Sequence, residues 1–260
     1  MNIRKHIPNS ITCLNLLCGV AGIIALLSYN APIAAFCFML AGAGFDFCDG
    51  LSARLLNAYS PVGKELDSLA DDITFGALPA LMMHEAMRGC GMSPDNPLCW
   101  IPLLITAFSA LRLAKFNVDP EQAHSFKGLA SPANAMFVAS IPLIDAMMPE
   151  DMYVFRFIQW AFDVDLDLKI TLCLIGLQVF VYGKWFIMLP MALFFAAMMV
   201  SNLPMFSLKL KHFSYHENKT VFKFLIFSAI MLLLLQWVAV PMIILAYIII
   251  SVANRHKNQE

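Results

Sequence analysis

Residues 46–71 read DFCDGLSARLLNAYSPVGKELDSLAD, an acidic stretch set between two apolar ones. Residues 31–45 before it and 73–83 after it carry no charge at all. Crossing a hydrocarbon core of ~30 Å takes about 20 mostly apolar residues as helix. The pattern therefore predicts two membrane helices joined by a short turn, with the acids at the ends that meet. Working outward, further apolar runs predict helices over 9–28, 31–56, 65–88, 98–117, 130–148, 184–204, 220–236 and 238–253. The expected fold is all-α: a polytopic transmembrane helical bundle of about eight spans, with both termini cytosolic.

Composition agrees. The chain of 260 residues is 60% hydrophobic and only 13% charged, with a mean hydropathy of +0.72. An ordinary soluble domain has roughly 45–50% apolar and about 25% charged residues. That difference excludes a disordered chain, a coiled coil, a collagen-like chain and a water-soluble enzyme. A net charge of -1 gives no electrostatic reason to bind nucleic acid, and no such partner is expected. The seven cysteines show no CxxC or Cys/His spacing, so no zinc site or disulfide framework is implied. Asn9, Thr12 and Asn15 interrupt the first apolar run, which reads as a retained span rather than a cleaved signal.

Lysine and arginine set the expected orientation. Of the 17 such residues, all but Arg88, Arg156, Lys169 and Lys184 fall on the inner side of an eight-span arrangement. A ninth crossing within 149–183 would move the lysines of 209–223 outside. That segment, with Tyr153, Phe155 and Trp160, is accordingly expected to lie outside, partly in the interface. The division is then residues 1–148 as catalytic helices, 149–183 as an outer interfacial segment, and 184–260 as helices completing the bundle.

Asp46 and Asp49 are three residues apart and Asp67 and Asp71 four apart, so each pair shares a helix face. If the second span enters near Ala31, Asp46 lies ~22 Å along its axis, in the inner part of the hydrocarbon. The third span returns antiparallel and brings Asp67 and Asp71 to a similar depth. Four uncompensated carboxylates in a bilayer cost on the order of 10 kcal/mol. Cations must offset that cost. An all-oxygen ligand set favours magnesium, manganese or calcium, and facing pairs suit a two-metal site of the kind used in phosphoryl transfer.

The spacing Asp46-x-x-Asp49-Gly50-x-x-Ala53-Arg54, then eight residues, then Gly63-x-x-x-Asp67-x-x-x-Asp71 resembles the full signature of the CDP-alcohol phosphotransferase family, at every fixed position and gap. A second set of stretches is similar to the family's integral-membrane phosphatidylserine synthase branch: residues 7–12 with Asn15 and Gly19, 67–71 with Phe75 and Gly76, 112–117 and 126–133. Lys115, Ala130, Asn134 and Asp72 depart from that branch's usual residues. The resemblance implies transfer of a phosphatidyl group from CDP-diacylglycerol to L-serine, releasing CMP, at an integral membrane site facing the cytosol. A bacterial-type inner membrane and a homodimer are implied with it. So are paired divalent ions, magnesium or manganese with calcium able to bind, held by Asp46, Asp49, Asp67 and Asp71.

Asp71 is the implied general base, with neighbouring Asp72 as a rival that points about 100° away on a helix. Gly50 and Gly63 leave room for close approach, Ala53 keeps the wall shallow, and Arg54 offers a planar fork to phosphate oxygens. Asn9 and Thr12 are expected either at the cytidine side or as helix caps. Serine brings a carboxylate, for which Arg112, Lys115 and Lys127 are the candidate cations; the alternative is that they only anchor topology. Two rivals remain: another acceptor, glycerol phosphate or inositol phosphate, and a divalent-cation or proton-coupled transporter. Cys90 and Cys99 fall on the outer side, where they could pair.

Overall fold

The computed structural model of the chain describes residues 6–93, 95–119, 128–146, 185–201, 203, 205, 219–235 and 239–257. Among them all regular structure is helical: α1 His6–Tyr29, α2 Pro32–Leu55, α3 Pro61–Asp71, a π turn Asp72–Ala77, and α4 Leu78–Gly89. Then come a 3₁₀ segment Pro97–Leu103 running into α5 Leu104–Val118, α6 Ser131–Ala146, α7 Trp185–Val200, α8 Lys219–Leu235 and α9 Ala239–Lys257. Within the described residues, each of the expected runs contains a helical stretch. By length and composition, α1, α2 and Pro97–Val118 suffice to cross a membrane, and α7, α8 and α9 contain shorter apolar helices. The expected interfacial segment 149–183 lies outside the described residues.

Local chemistry sets the helix ends. α1 and α2 are joined at Asn30, whose φ of 47° only a short polar side chain tolerates well, and Pro32 then starts α2. After α2, Asn57 adopts φ 49°, and Ser60 caps α3 by accepting from the Gly63 amide at 2.9 Å. Pro61 occupies the first position of α3, where its missing N–H costs nothing. From Pro61 to Gly89 the backbone stays helical but widens to a π turn just before Pro79. Proline has no N–H for the Phe75 carbonyl and its ring would collide there, so the extra residue per turn relieves the clash.

α1 packs along α2 and against α3 and the π turn; α4 packs on α6, α5 on α7 and the π turn, and α9 on α6 and α8. One apolar core joins Leu26, Phe36, Met39, Phe75, Leu78 and Leu143. A second joins Met83, Met87, Ile105, Phe137, Phe195 and Met199, with Phe137 and Phe195 stacked at 3.7 Å. Outward, Leu17, Phe47, Leu55, Phe194, Leu233 and Ile249 are exposed. Apolar exposure on this scale marks an integral membrane protein.

Small residues allow the closest approach. A Cβ at Gly42 would come within 2.7 Å of Thr74 and 2.8 Å of the Asn15 amide oxygen, whereas one at Gly44 would meet nothing within 4 Å. Side chains packed directly onto a glycine backbone in this way support helix association in lipid. Gly42→Leu should therefore destabilise the detergent-solubilised protein by about 1–3 kcal/mol, with Gly44→Leu within about 0.5 kcal/mol of wild type. Thermal unfolding of the two variants checks this, and equal melting would contradict the packing.

Candidate active site

Three helices supply the polar residues. Thr12 and Asn15 project from one face of α1, three residues apart. Thr12 Oγ1 donates to Asp49 Oδ2 at 2.5 Å, and Asn15 Nδ2 donates to Asp71 Oδ1 at 3.1 Å. Asn15 is itself fixed: its carbonyl accepts from Thr74 Oγ1 at 3.1 Å, and its residue is fully buried. α1 thus orients one carboxylate on α2 and another at the end of α3.

Between these helices, one carboxylate oxygen from each of Asp46, Asp49 and Asp67 lies within 4.8 Å of the others. Asp71 hangs from the same face of α3 one turn beyond Asp67, with only 9% of its surface exposed. Among the described residues the ion pairs involve Glu85, with Arg88 and His84, and none neutralises these four acids. Asp67 Oδ1 and Asn15 Oδ1 are buried with no hydrogen-bond partner. Converging carboxylate oxygens, an orphaned one among them, and no basic side chain in contact fit a hard divalent cation. Asp46, Asp49 and Asp67 could hold it.

A cleft of about 200 Å³ opens from this centre, lined by Pro8, Asn9, Thr12, Asp49, Gly50, Ala53, Ala58, Tyr59, Ser60, Gly63, Lys64 and Asp67. The sequence-expected Asn9, Thr12, Gly50, Ala53 and Gly63 are therefore brought together around one cleft, from three different helices. Asn9 is not a cap, because α1 already begins at His6. Its amide instead faces Gly63, where a Cβ would come within 2.8 Å of Asn9 Oδ1. Tyr59, Ser60 and Lys64 were not singled out by sequence, though their position between the two acidic pairs was a usable signal.

Arg54 stands outside the cleft lining. Its Nε donates to the Gly50 carbonyl at 3.0 Å, so the guanidinium is folded along its own helix at the rim. Arg112 is buried on α5 and donates to Ser131 Oγ at 3.1 Å, away from the cleft but close enough to Asp71 for their charges to interact. Lys115 is exposed near the end of α5, and Lys127 lies outside the described residues. Asp72 turns away from the acidic centre toward Ser109 on α5, as helical geometry requires. Cys90 and Cys99 are not bonded to each other: Cys99 lies beside His84, and Cys90 lies 3.9 Å from Met188 Sδ.

Fold and site define a polytopic membrane protein with an acidic, all-oxygen centre opening into a polar cleft at one end of the bundle. Residues 5–164 match the family described as CDP-alcohol phosphatidyltransferase, and the chain belongs to that family of enzymes. It is 36% identical over 132 residues to the CDP-diacylglycerol–serine O-phosphatidyltransferase of Bacillus subtilis, covering 51% of this chain and 72% of that one. It is 36% identical over 138 residues to the protein of that name from Mycobacterium tuberculosis, covering 50% and 46%. The Saccharomyces cerevisiae protein of that name is 32% identical over 148 residues, covering 51% and 52%. The chain thus spans about half the length of the mycobacterial and yeast relatives.

Uncompensated like charges make a specific stability signature. Without added metal, Asp46→Asn and Asp67→Asn should melt higher than wild type, because each removes repulsion. Saturating manganese should reverse the order, since a ligand at 100 times its Kd stabilises by about 2.7 kcal/mol. Melting curves with and without manganese check this; an unchanged ranking would contradict the cation-site reading.

Proposed function

We propose that the protein transfers the phosphatidyl group of CDP-diacylglycerol to the hydroxyl of L-serine, giving phosphatidylserine and CMP. The observation that carries this reading is the acidic centre opening into a cleft lined by Asn9, Thr12, Gly50, Ala53 and Gly63. An amphipathic donor suits it, with acyl chains in lipid and the nucleotide diphosphate in the polar cleft. In this reading eight helices cross a bacterial-type inner membrane, both termini and the cleft face the cytosol, and two copies form a dimer. Residues 1–148 form the catalytic part and 184–260 complete the bundle.

Asp46, Asp49, Asp67 and Asp71 would hold two divalent ions, magnesium or manganese, with calcium able to bind. Bound there, the ions would neutralise diphosphate oxygens and stabilise the charge on departing CMP. The chain's own residues do the rest. Thr12 holds Asp49 and Asn15 holds Asp71, so the acids cannot splay apart. Asn9, with an amide that both donates and accepts, suits the edge of the cytidine base. Gly50 and Gly63 let diphosphate approach the backbone, and Arg54 at the rim can turn its fork to a phosphate oxygen. Asn15 occupies Asp71 Oδ1, leaving Oδ2 to take the serine hydroxyl proton as that oxygen attacks phosphorus. Arg112, Lys115 and Lys127 supply positive charge for the serine carboxylate.

The test is CMP release by purified protein with CDP-diacylglycerol and manganese, offering serine, glycerol 3-phosphate or inositol phosphate in parallel. Serine should be the acceptor used; preference for either phosphate would overturn the assignment. Asp71→Asn should lower turnover by at least about a hundredfold, the lower end for a general base, while CDP-diacylglycerol binding survives. Near-normal turnover in that variant would exclude the base role.

A further inference from the structure

Next to Asp71, where the π turn packs on α5 and α6, lies a second polar group of which the transfer chemistry above uses only Arg112. Ser109 and Arg112 lie three residues apart on α5, and Ser131 and Asn134 three apart on α6, so each pair shares a helix face. The Arg112–Ser131 hydrogen bond ties the two faces together. Asp72 joins them from the π turn, which packs on both α5 and α6. A Cβ at Gly76 would lie 2.6 Å from Asp72 Oδ1 and 3.0 Å from Ser109 Oγ. Gly76 therefore keeps open the space in which acid and hydroxyl approach each other.

The group is incomplete as it stands. Asn134 is fully buried, and neither its Nδ2 nor its Oδ1 has a hydrogen-bond partner. Asp72 Oδ1 is buried without one too, and no Lys, Arg or His among the described residues forms an ion pair with Asp72. A buried amide left unpaired is costly, and a buried acid without a cation more so. A small zwitterion would satisfy all of them. Its ammonium has three N–H donors for Asp72 Oδ1, Ser109 Oγ and Asn134 Oδ1; its carboxylate accepts from Asn134 Nδ2 and from the Arg112 side. A phosphorylated polyol has no cation to offer Asp72 and would be repelled by it.

We propose that Asp72, Ser109 and Asn134 form the subsite for the α-ammonium group of the acceptor and thereby select a zwitterionic amino alcohol over anionic ones. This rests on the serine-transfer reading and deepens it. Asp71 and Asp72 then divide the work by direction: one faces the acceptor's hydroxyl, its neighbour the acceptor's amino group.

The test uses full-length purified protein and compares Asp72→Asn and Asn134→Leu with wild type. Each variant should raise the serine KM about tenfold or more, the loss of a hydrogen bond to a charged group, with the CDP-diacylglycerol KM within twofold. Wild type should prefer serine over 3-hydroxypropanoate, which lacks the ammonium, and Asp72→Asn should narrow that preference by a similar factor. Asn134→Leu removes a buried unpaired amide, so its melting temperature should hold or rise. That outcome separates a binding role from a structural one. An unchanged serine KM in both variants overturns the proposal. Should either variant fail to fold, Ser109→Ala is read by the same KM split. Failure of wild type to use serine at all would instead sink the serine-transfer reading, so the two failures are distinguishable.

Discussion

Mutual repulsion among Asp46, Asp49, Asp67 and Asp71 is the constraint around which the first half of the bundle is built. Carboxylates this close, in a helical bundle whose outer faces are apolar, cannot all remain charged without positive partners. Among the described residues no basic side chain forms an ion pair with them. What it supplies is geometry: Thr12 and Asn15 on α1 each hold an acid from a different helix. Those bonds use one oxygen of Asp49 and one of Asp71 and leave others turned inward. A cation bound in such a position would answer a requirement of the fold as much as of the chemistry.

That requirement explains features that would otherwise look unrelated. The small residues of α1 and α2 let Thr74 and Asn15 sit at the junction of three backbones, which sets the spacing of the acids. The π turn at Asp72–Ala77 follows from Pro79 and continues α3, whose rotation of about 100° per residue sends successive side chains to different sides of the bundle. Asp71 consequently faces α1 and the acidic centre, while Asp72 faces α5. The turn after α2, capped by Ser60 and started by Pro61, returns the chain so that the two acidic pairs meet.

The sequence made the acidic pairs legible because a charge is conspicuous in apolar sequence and its helical spacing fixes the face it occupies. Helix positions were equally legible, since apolar runs of this length leave little choice of structure. Asn15 was harder to read: a lone amide in an apolar helix says nothing about its partner, which lies 56 positions away. Arg54 was read as a phosphate fork because of its position in the motif, yet its own Gly50 carbonyl is the nearest acceptor once the helix forms. Asn9 illustrates the opposite case. Its capping alternative fell away only when α1 was seen to start earlier, at His6.

Direct counting of bound manganese tests the central claim more sharply than any turnover assay. Electron paramagnetic resonance of the purified, metal-stripped protein titrated with manganese should show two ions bound per chain, spin-coupled as expected for a separation of about 3.5–4 Å. Asp46→Asn and Asp67→Asn should lose that coupled signal. A protein that remains free of manganese at saturating concentrations, or binds it equally well without those carboxylates, would contradict the account.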